Sequence, residues 1–375
     1  MSESNTSANT PDPTPSPAHT PAPSGRRRGM AYAVIGAALA VIVLIAGSVA
    51  VWNRANLASQ TSAPASPVAS APMRDIHSAR FADFPLPTTN AKPFDIAPGP
   101  DGNLWFTEFD GDMIGRITPA GAITDYHVPT PGAGPYFITA GRDDNLWFTE
   151  YYSNKIGRIT PAGVITEFAL PAGTNGAIGA TAGPDGNLWF TVYPAAIVRV
   201  TPSGAMTTFP LPSPSAPPFA IASGLDGALW FTYDGEVTGQ NADHIGRITT
   251  SGAATTYPLP TSGSNVDAIA AGGDGKLWFT DYAHQVIGAL SPAGALREYA
   301  IPSRYNGLND IASGPDGALW FTEQEGVVGR ITASGVIDQI VIPTPDSQPD
   351  GVTAGPGATI WFTEMGANRI GRITL

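Results

Sequence analysis

The sequence contains no cysteine among its 375 residues. This absence excludes disulfide bridges, thiolate metal sites, a cysteine nucleophile and a lipid anchor on cysteine. A domain without disulfides must be held together by its hydrophobic core, and about 300 residues can bury a core of adequate size.

Basic residues are also scarce. The chain has 19 Lys and Arg against 31 Asp and Glu, and beyond residue 75 the counts are 14 and 28. This imbalance argues against nucleic acid or an anionic lipid surface as a partner. It is compatible with a neutral or cationic ligand, although solubility alone would also account for it.

One hydrophobic run is long enough to cross a membrane. Met30 to Trp52 contains no charged residue over 23 positions and would extend about 34 Å as a helix. We therefore predict a single transmembrane helix over 29–53, with the membrane contacted through residues 30–52. A cleaved export signal ending near Ala63 is the alternative, and it too would make the following domain extracytoplasmic.

The segments on either side of this run are poor in core-forming residues. Residues 1–28 are dominated by Ser, Thr, Pro and Ala and end in three arginines, which predicts a disordered tail held in the cytoplasm. Residues 54–77 have a similar composition and predict a stalk. The expected location is the cell membrane, with a single span and the large domain outside the cytoplasm.

An internal repeat dominates the rest of the chain. Trp-Phe-Thr occurs seven times, at spacings of 42, 42, 41, 48, 42 and 41 residues, beginning at Trp105, Trp147, Trp189, Trp230, Trp278, Trp320 and Trp361. This period is typical of a four-stranded propeller blade. A helical solenoid is excluded, because no unit contains ten residues free of Gly and Pro with a 3.6-residue period.

Each unit has the pattern of four short strands. An Asp-Gly turn follows the first strand, because glycine accepts the positive φ of a tight hairpin. In the first unit the predicted strands are Phe94–Ala97, Leu104–Glu108, Ile114–Thr118 and Ile123–Val128.

The two ends of the chain predict how the ring closes. The seventh unit ends at Leu375 without a fourth strand, and a spare copy of that strand occurs at 81–87. We expect this strand to pair with Ile370–Thr374 and so to remove an exposed edge. The predicted fold is all-β, a seven-bladed β-propeller over 78–375 closed by an N-terminal strand and preceded by one transmembrane helix.

Comparison of the seven units predicts a binding site at the mouth of the ring. Eleven residues before each tryptophan, the first four blades carry apolar side chains and the last three carry polar ones, which gives the mouth an apolar half and an acidic half. Aromatic groups around a concave mouth suit a small molecule, a peptide or a glycan. The predicted ligand-binding residues are Phe94, Tyr136, Phe219, Tyr233, Asp267, Asn309 and Asp350.

Carboxylates recur at the ends of the second strands, and arginines recur in the third strands. The simplest interpretation is a repeated Glu–Arg structural pair. Blade 5 is the exception, because Asp281 is retained while Ala289 replaces the arginine. Asp267, Asp281, Asn309 and Asp310 are then expected to cluster, and a hard cation, Mg²⁺ or Ca²⁺, would suit such ligands.

Few residues are candidates for catalysis. His284 and His244 lie in loops where a base could act, and Asp350 could act as a weak one. The predicted catalytic pair is Asp350 and His284. The sequence has no serine or cysteine nucleophile motif, no Gly-rich phosphate loop and no zinc spacing.

The repeat resembles the streptogramin B lyase (virginiamycin B lyase) family over 78–375. The matching segments are Leu104–Glu108, Asn154–Thr160, Ile165–Phe168 and Gly366–Thr374. The resemblance implies a C–O lyase that linearises a cyclic depsipeptide by elimination with Mg²⁺ and a histidine base.

The chain departs from that family at the residues that matter for the reaction. Asn309 and Asp350 stand where the family has histidines, and Gln348 and Met365 stand where it has metal-binding glutamates. Glu364 is adjacent to the second of these, so the predicted metal ligands are Asp267, Asp281 and Glu364. Three hypotheses follow: a non-catalytic binding or sensing propeller, a metal-dependent lyase with altered residues, and a scaffold for envelope proteins.

Overall fold

The computed structural model describes residues 79–211, 216–234, 243–302 and 307–375. The expected tail (1–28), transmembrane helix (29–53) and stalk (54–77) lie outside the described residues. Within the part that is described, no helix has the length and apolar character needed to span a bilayer.

The described residues form 28 strands in seven four-stranded antiparallel sheets, one per blade. Blade 1 contains β2 (Pro93–Pro98), β3 (Leu104–Glu108), β4 (Met113–Ile117) and β5 (Ile123–His127). Blade 2 contains β6 (Pro135–Ala140), β7 (Leu146–Glu150), β8 (Lys155–Ile159) and β9 (Ile165–Ala169). Blade 3 contains β10 (Ala177–Ala182), β11 (Leu188–Val192), β12 (Ala196–Val200) and β13 (Met206–Pro210).

The remaining blades follow the same order. Blade 4 contains β14 (Pro218–Ser223), β15 (Ala228–Tyr233), β16 (His244–Thr249) and β17 (Ala254–Pro258). Blade 5 contains β18 (Val266–Ala271), β19 (Leu277–Asp281), β20 (Val286–Leu290) and β21 (Leu296–Ala300). Blade 6 contains β22 (Leu308–Ser313), β23 (Leu319–Glu323), β24 (Val327–Ile331) and β25 (Ile337–Val341). Blade 7 contains β26 (Pro349–Gly355), β27 (Thr359–Glu364), β28 (Arg369–Thr374) and, from the other end of the sequence, β1 (Arg80–Pro85).

The predicted closure of the ring is confirmed. β1 pairs with β28 in antiparallel register, from Arg80 opposite Thr374 to Pro85 opposite Arg369. The loop after β1 is fixed as well, because the Asn368 side chain accepts a hydrogen bond from the Ala91 amide at 2.8 Å. The edge of β28 is therefore covered by β1, as the fourth strand covers the third in the other six blades.

The repeated tryptophan is the centre of each blade's packing. Trp105 is fully buried and donates its indole N–H to Asp101 in the preceding turn at 3.1 Å. Tyr126 of the outer strand stacks on it at 5.5 Å, and the Arg116 guanidinium lies 5.6 Å from its ring. Arg116 also donates to the Pro161 carbonyl of blade 2, so the stack continues into the neighbouring blade.

The repeated threonine links one blade to the next. The Thr107 hydroxyl accepts from the Asp95 amide at 3.1 Å and donates to the Tyr136 carbonyl of blade 2 at 2.7 Å. Thr363 donates to the Phe94 carbonyl at 2.8 Å and so links blade 7 to blade 1. The same donation is made by Thr191, Thr280 and Thr322. The Trp-Phe-Thr motif thus fills the blade with one residue and connects neighbouring blades with another.

Candidate functional site: the mouth of the central channel

The first strand of every blade lines the axis of the ring. Each of these strands packs against the first strands of the two neighbouring blades. Each also contains a β-bulge near its start, such as the register shift between Pro93 and Ile96. A bulge inserts an extra residue and re-aims side chains. Two consecutive positions of every blade, such as Phe94 and Asp95, lie in this bulge at the mouth.

The apolar half of the mouth is a connected group of aromatic rings. Phe94 stacks on Tyr136 with ring centroids 3.9 Å apart and meets Phe137 edge-on at 5.7 Å. Phe137 in turn contacts Phe219 of blade 4 at 5.9 Å. Rings from blades 1, 2 and 4 therefore meet at one side of the channel.

The loops after the second strands extend this group outward. Tyr151 lies 5.5 Å from Tyr136, and Phe109 lies 5.5 Å from Tyr152. Tyr152 is 56% exposed, so the aromatic surface runs from the channel to solvent. We call the set Phe94, Phe109, Tyr136, Phe137, Tyr151, Tyr152 and Phe219 the aromatic wall.

The polar half faces it from blades 5 to 7. Asn309 is 3% exposed and donates its amide N–H to the Pro349 carbonyl of blade 7 at 2.7 Å. Its Oδ1 has no hydrogen-bond partner among the described residues. Asp350 is 5% exposed, and Asp267 is partly buried at the equivalent position of blade 5. The polar half therefore offers a buried amide oxygen and carboxylates to a ligand in the mouth.

Two further carboxylates occupy the second bulge position. Asp95 accepts hydrogen bonds from the amides of Ile96 and, in blade 2, Ile138, both at 2.8 Å. Asp310 does the same for Ile311 and, in blade 7, Val352, also at 2.8 Å. Each carboxylate therefore bridges two blades beside the channel.

Burial raises the pKa of Asp95 to about 7, against the opposing effect of its two amide donors, and the charge of Asp350 raises it further. Burial likewise raises the pKa of Asp310 well above its usual value, with the charges of Asp95 and Asp350 adding to it. The sequence comparison identified Asp310 but missed Asp95. A strict two-residue alternation places the side chain after Phe94 on the opposite face, and the bulge removes that alternation.

The predicted catalytic residue His284 is held by a carboxylate. Its Nδ1 lies 2.9 Å from Asp281 Oδ2, and Asp281 Oδ1 accepts from the amides of Asn265 and Ala283 at 3.2 and 3.0 Å. His284 is 31% exposed and Asp281 only 2%. The carboxylate therefore orients the imidazole in the loop between β19 and β20.

The other predicted ligand residue of this region lies inside the fold. Tyr233 is 1% exposed and packs against Phe231 and, with ring centroids 4.3 Å apart, His244. Burial raises the pKa of Tyr233 to about 12 and lowers the pKa of His244. In the structure these rings pack against each other beneath the mouth.

The predicted Glu–Arg structural pair is wrong. Arg116 stands opposite Trp105, whereas Glu108 stands opposite Met113, three residues further along the strand and therefore about 10 Å away. The arginines bind turn residues instead, as Arg330 does with Asp316 at 2.5 Å. The glutamates at the second-strand ends face the outer strands of their blades instead, as Glu323 does in accepting a hydrogen bond from Gln339.

Glu364 shows where those carboxylates lie. Burial raises its pKa to about 7, a Thr344 hydrogen bond and the Arg369 charge lower it, and the Asp83 charge raises it. These neighbours belong to the outer part of blade 7 and the loop that precedes that blade. Across the described ranges, no group of three or more His, Asp or Glu is arranged to hold a metal ion. A metal bound by Asp267, Asp281 and Glu364 stays a prediction.

Seven four-stranded blades around a channel, with the last blade completed by an N-terminal strand, define a seven-bladed β-propeller. Within that class the chain belongs to the virginiamycin B lyase family, which it matches over residues 74–237 and 234–375.

Solved structures support the assignment. A streptogramin B lyase is 32% identical with a TM-score of 0.75, covering 81% of this chain and 100% of the lyase. The virginiamycin B lyase from Staphylococcus aureus is 35% identical with a TM-score of 0.74, covering 80% and 100%. A catalytically inactive histidine-to-alanine variant of the same enzyme with quinupristin is 34% identical, with the same TM-score and coverage. No curated protein matches the sequence.

Proposed function

We propose that this chain is a membrane-anchored, extracytoplasmic propeller that binds or senses a ligand at the mouth of its ring. The observation that carries the proposal is the aromatic wall facing Asn309 and Asp350 across the channel entrance. Such a mouth suits a small molecule, peptide or glycan that presents an apolar or aromatic face together with hydrogen-bond donors or a positive charge. The apolar run over 30–52 supports the anchor.

The residues at the family's catalytic positions favour binding over lyase chemistry. An amide, Asn309, cannot act as a general base, and the second histidine position holds Asp350. The amide oxygen and carboxylates of the polar half remain suited to recognising donors on a ligand. The mouth can therefore bind a ligand without the histidines and metal-binding glutamates of the family, which this chain lacks.

The test is calorimetric titration of the full-length chain in detergent with quinupristin and Mg²⁺, followed by mass spectrometry of the ligand. We expect binding without linearised product. Tyr136→Ala should weaken that binding at least tenfold, because it removes the centre of the aromatic wall, whereas Val341→Ala, on an exposed outer strand, should not. Binding that is equally strong in both variants would place the ligand elsewhere.

A metal-dependent C–O lyase with altered residues is the second candidate, with Mg²⁺ or Ca²⁺ as its ion. The Asp281–His284 pair favours it, because a carboxylate that orients an imidazole is the usual arrangement of a general base. Linearised product from the unaltered chain, lost in His284→Ala, would establish this candidate and overturn the binding-only proposal.

A further inference from the structure

Blades 1, 2 and 7 share a group of side chains at the outer part of the blade. In each, the glutamate that ends the second strand faces a second acid on the outer strand and a threonine from the preceding loop. In blade 2 these are Glu150, Glu167 and Thr130, and in blade 7 they are Glu364, Asp83 and Thr344. In blade 1 they are Glu108, Asp125 and Thr88.

Two of the three groups contain their own cation. The first residue of the third strand stands opposite the glutamate in every case, and it is Lys155 in blade 2 and Arg369 in blade 7. The Lys155 ammonium lies 2.8 Å from Glu167 and 2.6 Å from Thr130. Arg369 forms an ion pair with Asp83. A positive charge thus compensates two facing carboxylates in both blades.

Blade 1 has the two acids but not the cation. Met113 occupies the position of Lys155 and Arg369, and its sulfur lies 3.4 Å from the Thr88 hydroxyl, where Lys155 meets Thr130 in blade 2. Burial raises the pKa of Asp125, and the exposed His127 on the outer strand is a basic group whose charge partly opposes that effect. Lys92, on the preceding loop, is paired with Asp110.

The missing charge leaves the oxygens of blade 1 without partners. Glu108 is fully buried, and among the described residues neither of its carboxylate oxygens has a partner with good hydrogen-bond geometry, although Thr88 and Asp125 lie beside it. Asp125 Oδ1 likewise has no such partner. In blades 2 and 7 a single oxygen of the glutamate, Glu150 Oε1 or Glu364 Oε2, is without a partner among the described residues, and Glu150 Oε2 accepts a hydrogen bond from Ser153 at 2.5 Å. Burying an acid without a partner is costly, and two facing acids repel each other if both are ionised.

We propose that blade 1 binds a divalent cation, Ca²⁺ in preference to Mg²⁺, between Glu108 and Asp125. The Thr88 hydroxyl supplies a third oxygen, and water would complete the coordination. Ca²⁺ fits because the donors are all oxygen, its charge neutralises two carboxylates, and it accepts irregular shells that Mg²⁺ does not. The site is separate from the mouth and independent of the proposed ligand-binding function. In blade 1 the bound ion supplies the positive charge that Lys155 supplies in blade 2 and Arg369 in blade 7.

Calcium binding to the full-length chain tests this inference. After treatment with a chelator, equilibrium dialysis with ⁴⁵Ca²⁺ should show that Glu108→Gln binds one ion fewer per chain than the unaltered protein. Glu150→Gln, the matched change in blade 2, should bind as many ions as the unaltered protein. Saturating Ca²⁺ should also raise the Tm of the unaltered protein by a few degrees.

Met113→Lys is a second variant, and it keeps the test decisive if Glu108→Gln does not fold. It installs the cation of blade 2, so it should lose the same ion while its Tm without Ca²⁺ is at least that of the unaltered protein. Failure of the unaltered chain to bind Ca²⁺ at millimolar concentration would overturn the proposal, because the acids would then share a proton. Undiminished binding in Met113→Lys would overturn it too, because the ion would lie elsewhere.

Discussion

At the scale of single residues, folding strongly raises the pKa of two carboxylates beside the channel, Asp95 and Asp310. Asp95, Asp310 and Asp350 come from blades 1, 6 and 7, and the charge of Asp350 adds to burial in raising the pKa of both Asp95 and Asp310. A group whose folded pKa exceeds its unfolded value binds more protons in the folded state. Its contribution to stability is therefore complete below the unfolded pKa and is lost as pH rises through the folded pKa.

The first prediction concerns this pH dependence. The free energy of unfolding should fall between about pH 4 and about pH 7, the window set by the ordinary pKa of aspartate and that of folded Asp95. Asp350→Asn removes a neighbouring charge, so it should lower the pKa of Asp95 and move the fall to lower pH. Denaturant titrations from pH 4 to 8, with carbon NMR of the Asp95 carboxyl, check both. An unchanged Asp95 pKa in the variant would show that the two charges do not interact.

The second prediction asks whether the family's chemistry can be restored. Asn309→His, Gln348→Glu and Asp350→His together install both histidines and the first of the two metal-binding glutamates that the family resemblance implies, and Glu364 lies next to the position of the second. We expect the triple variant to linearise quinupristin in the presence of Mg²⁺, while the unaltered chain does not. Mass spectrometry of the ligand is the measurement, and the triple variant with Asp350→Ala in place of Asp350→His is the control. Product from that control would exclude a histidine base at this position.

At the scale of elements, neighbouring blades meet where an outer-strand aromatic ring covers the turn between the third and fourth strands of the next blade. Gly163, in the turn of blade 2, has φ +86, and a Cβ there would lie 2.0 Å from the Tyr126 ring of blade 1. Gly186, in the Asp-Gly turn of blade 3, has φ +80 but no atom within 4 Å of its Cβ position. The two glycines thus share their backbone conformation and differ in packing.

The third prediction uses this pair. Gly186→Ala should cost roughly 1 kcal/mol, because only the backbone is strained. Gly163→Ala should cost roughly 2 kcal/mol more, because Tyr126 must also be displaced from the blade interface. Urea unfolding of both variants is the measurement. Equal losses would mean that the ring over Gly163 yields freely and contributes little to the packing between blades.

The strands themselves could be read from the sequence because each unit repeats the same turn chemistry and apolar alternation. Leu104–Glu108 was predicted with the bounds it has, and the other strands of blade 1 differ by one residue at each end at most. The bulges could not be predicted, because the alternation of apolar residues does not show an inserted position. For that reason Asp95 was missed. The glutamates were assigned the wrong partners for a different reason: the recurrence of Glu and Arg does not show the register between the second and third strands, which places Glu108 opposite Met113 and Arg116 opposite Trp105.

At the scale of the whole molecule, the ring depends on one pairing between its two ends. β1 supplies the outer strand of blade 7, where Phe84 stacks on Trp361 with centroids 5.6 Å apart. The threonine links and aromatic stacks run on through this blade to blade 1. Blade 7 therefore has a complete sheet only when β1 is in place.

The fourth prediction is that deleting β1, Arg80–Pro85, exposes the edge of β28 and produces aggregated or domain-swapped forms. The chain that instead lacks residues 1–75 retains β1 and should remain monomeric once freed of detergent. Size-exclusion chromatography with light scattering distinguishes them. A monomeric deletion variant with unchanged Tm would show that β1 is dispensable for closure.

The pairing of β1 with β28 also determines the order in which the blades can be completed during synthesis. Asp83 and Arg369, which form an ion pair across it, are separated by 286 residues of sequence. β1 is synthesised before the other strands, and its partner β28 is synthesised last. β1 therefore stays unpaired until nearly the last residue has left the ribosome, while the other six blades form. Among the described residues, the strands of blade 7 come from both ends of the sequence, whereas each of the other six blades is one continuous stretch. A nascent chain stalled before residue 369 would therefore hold six finished blades beside one that cannot be completed.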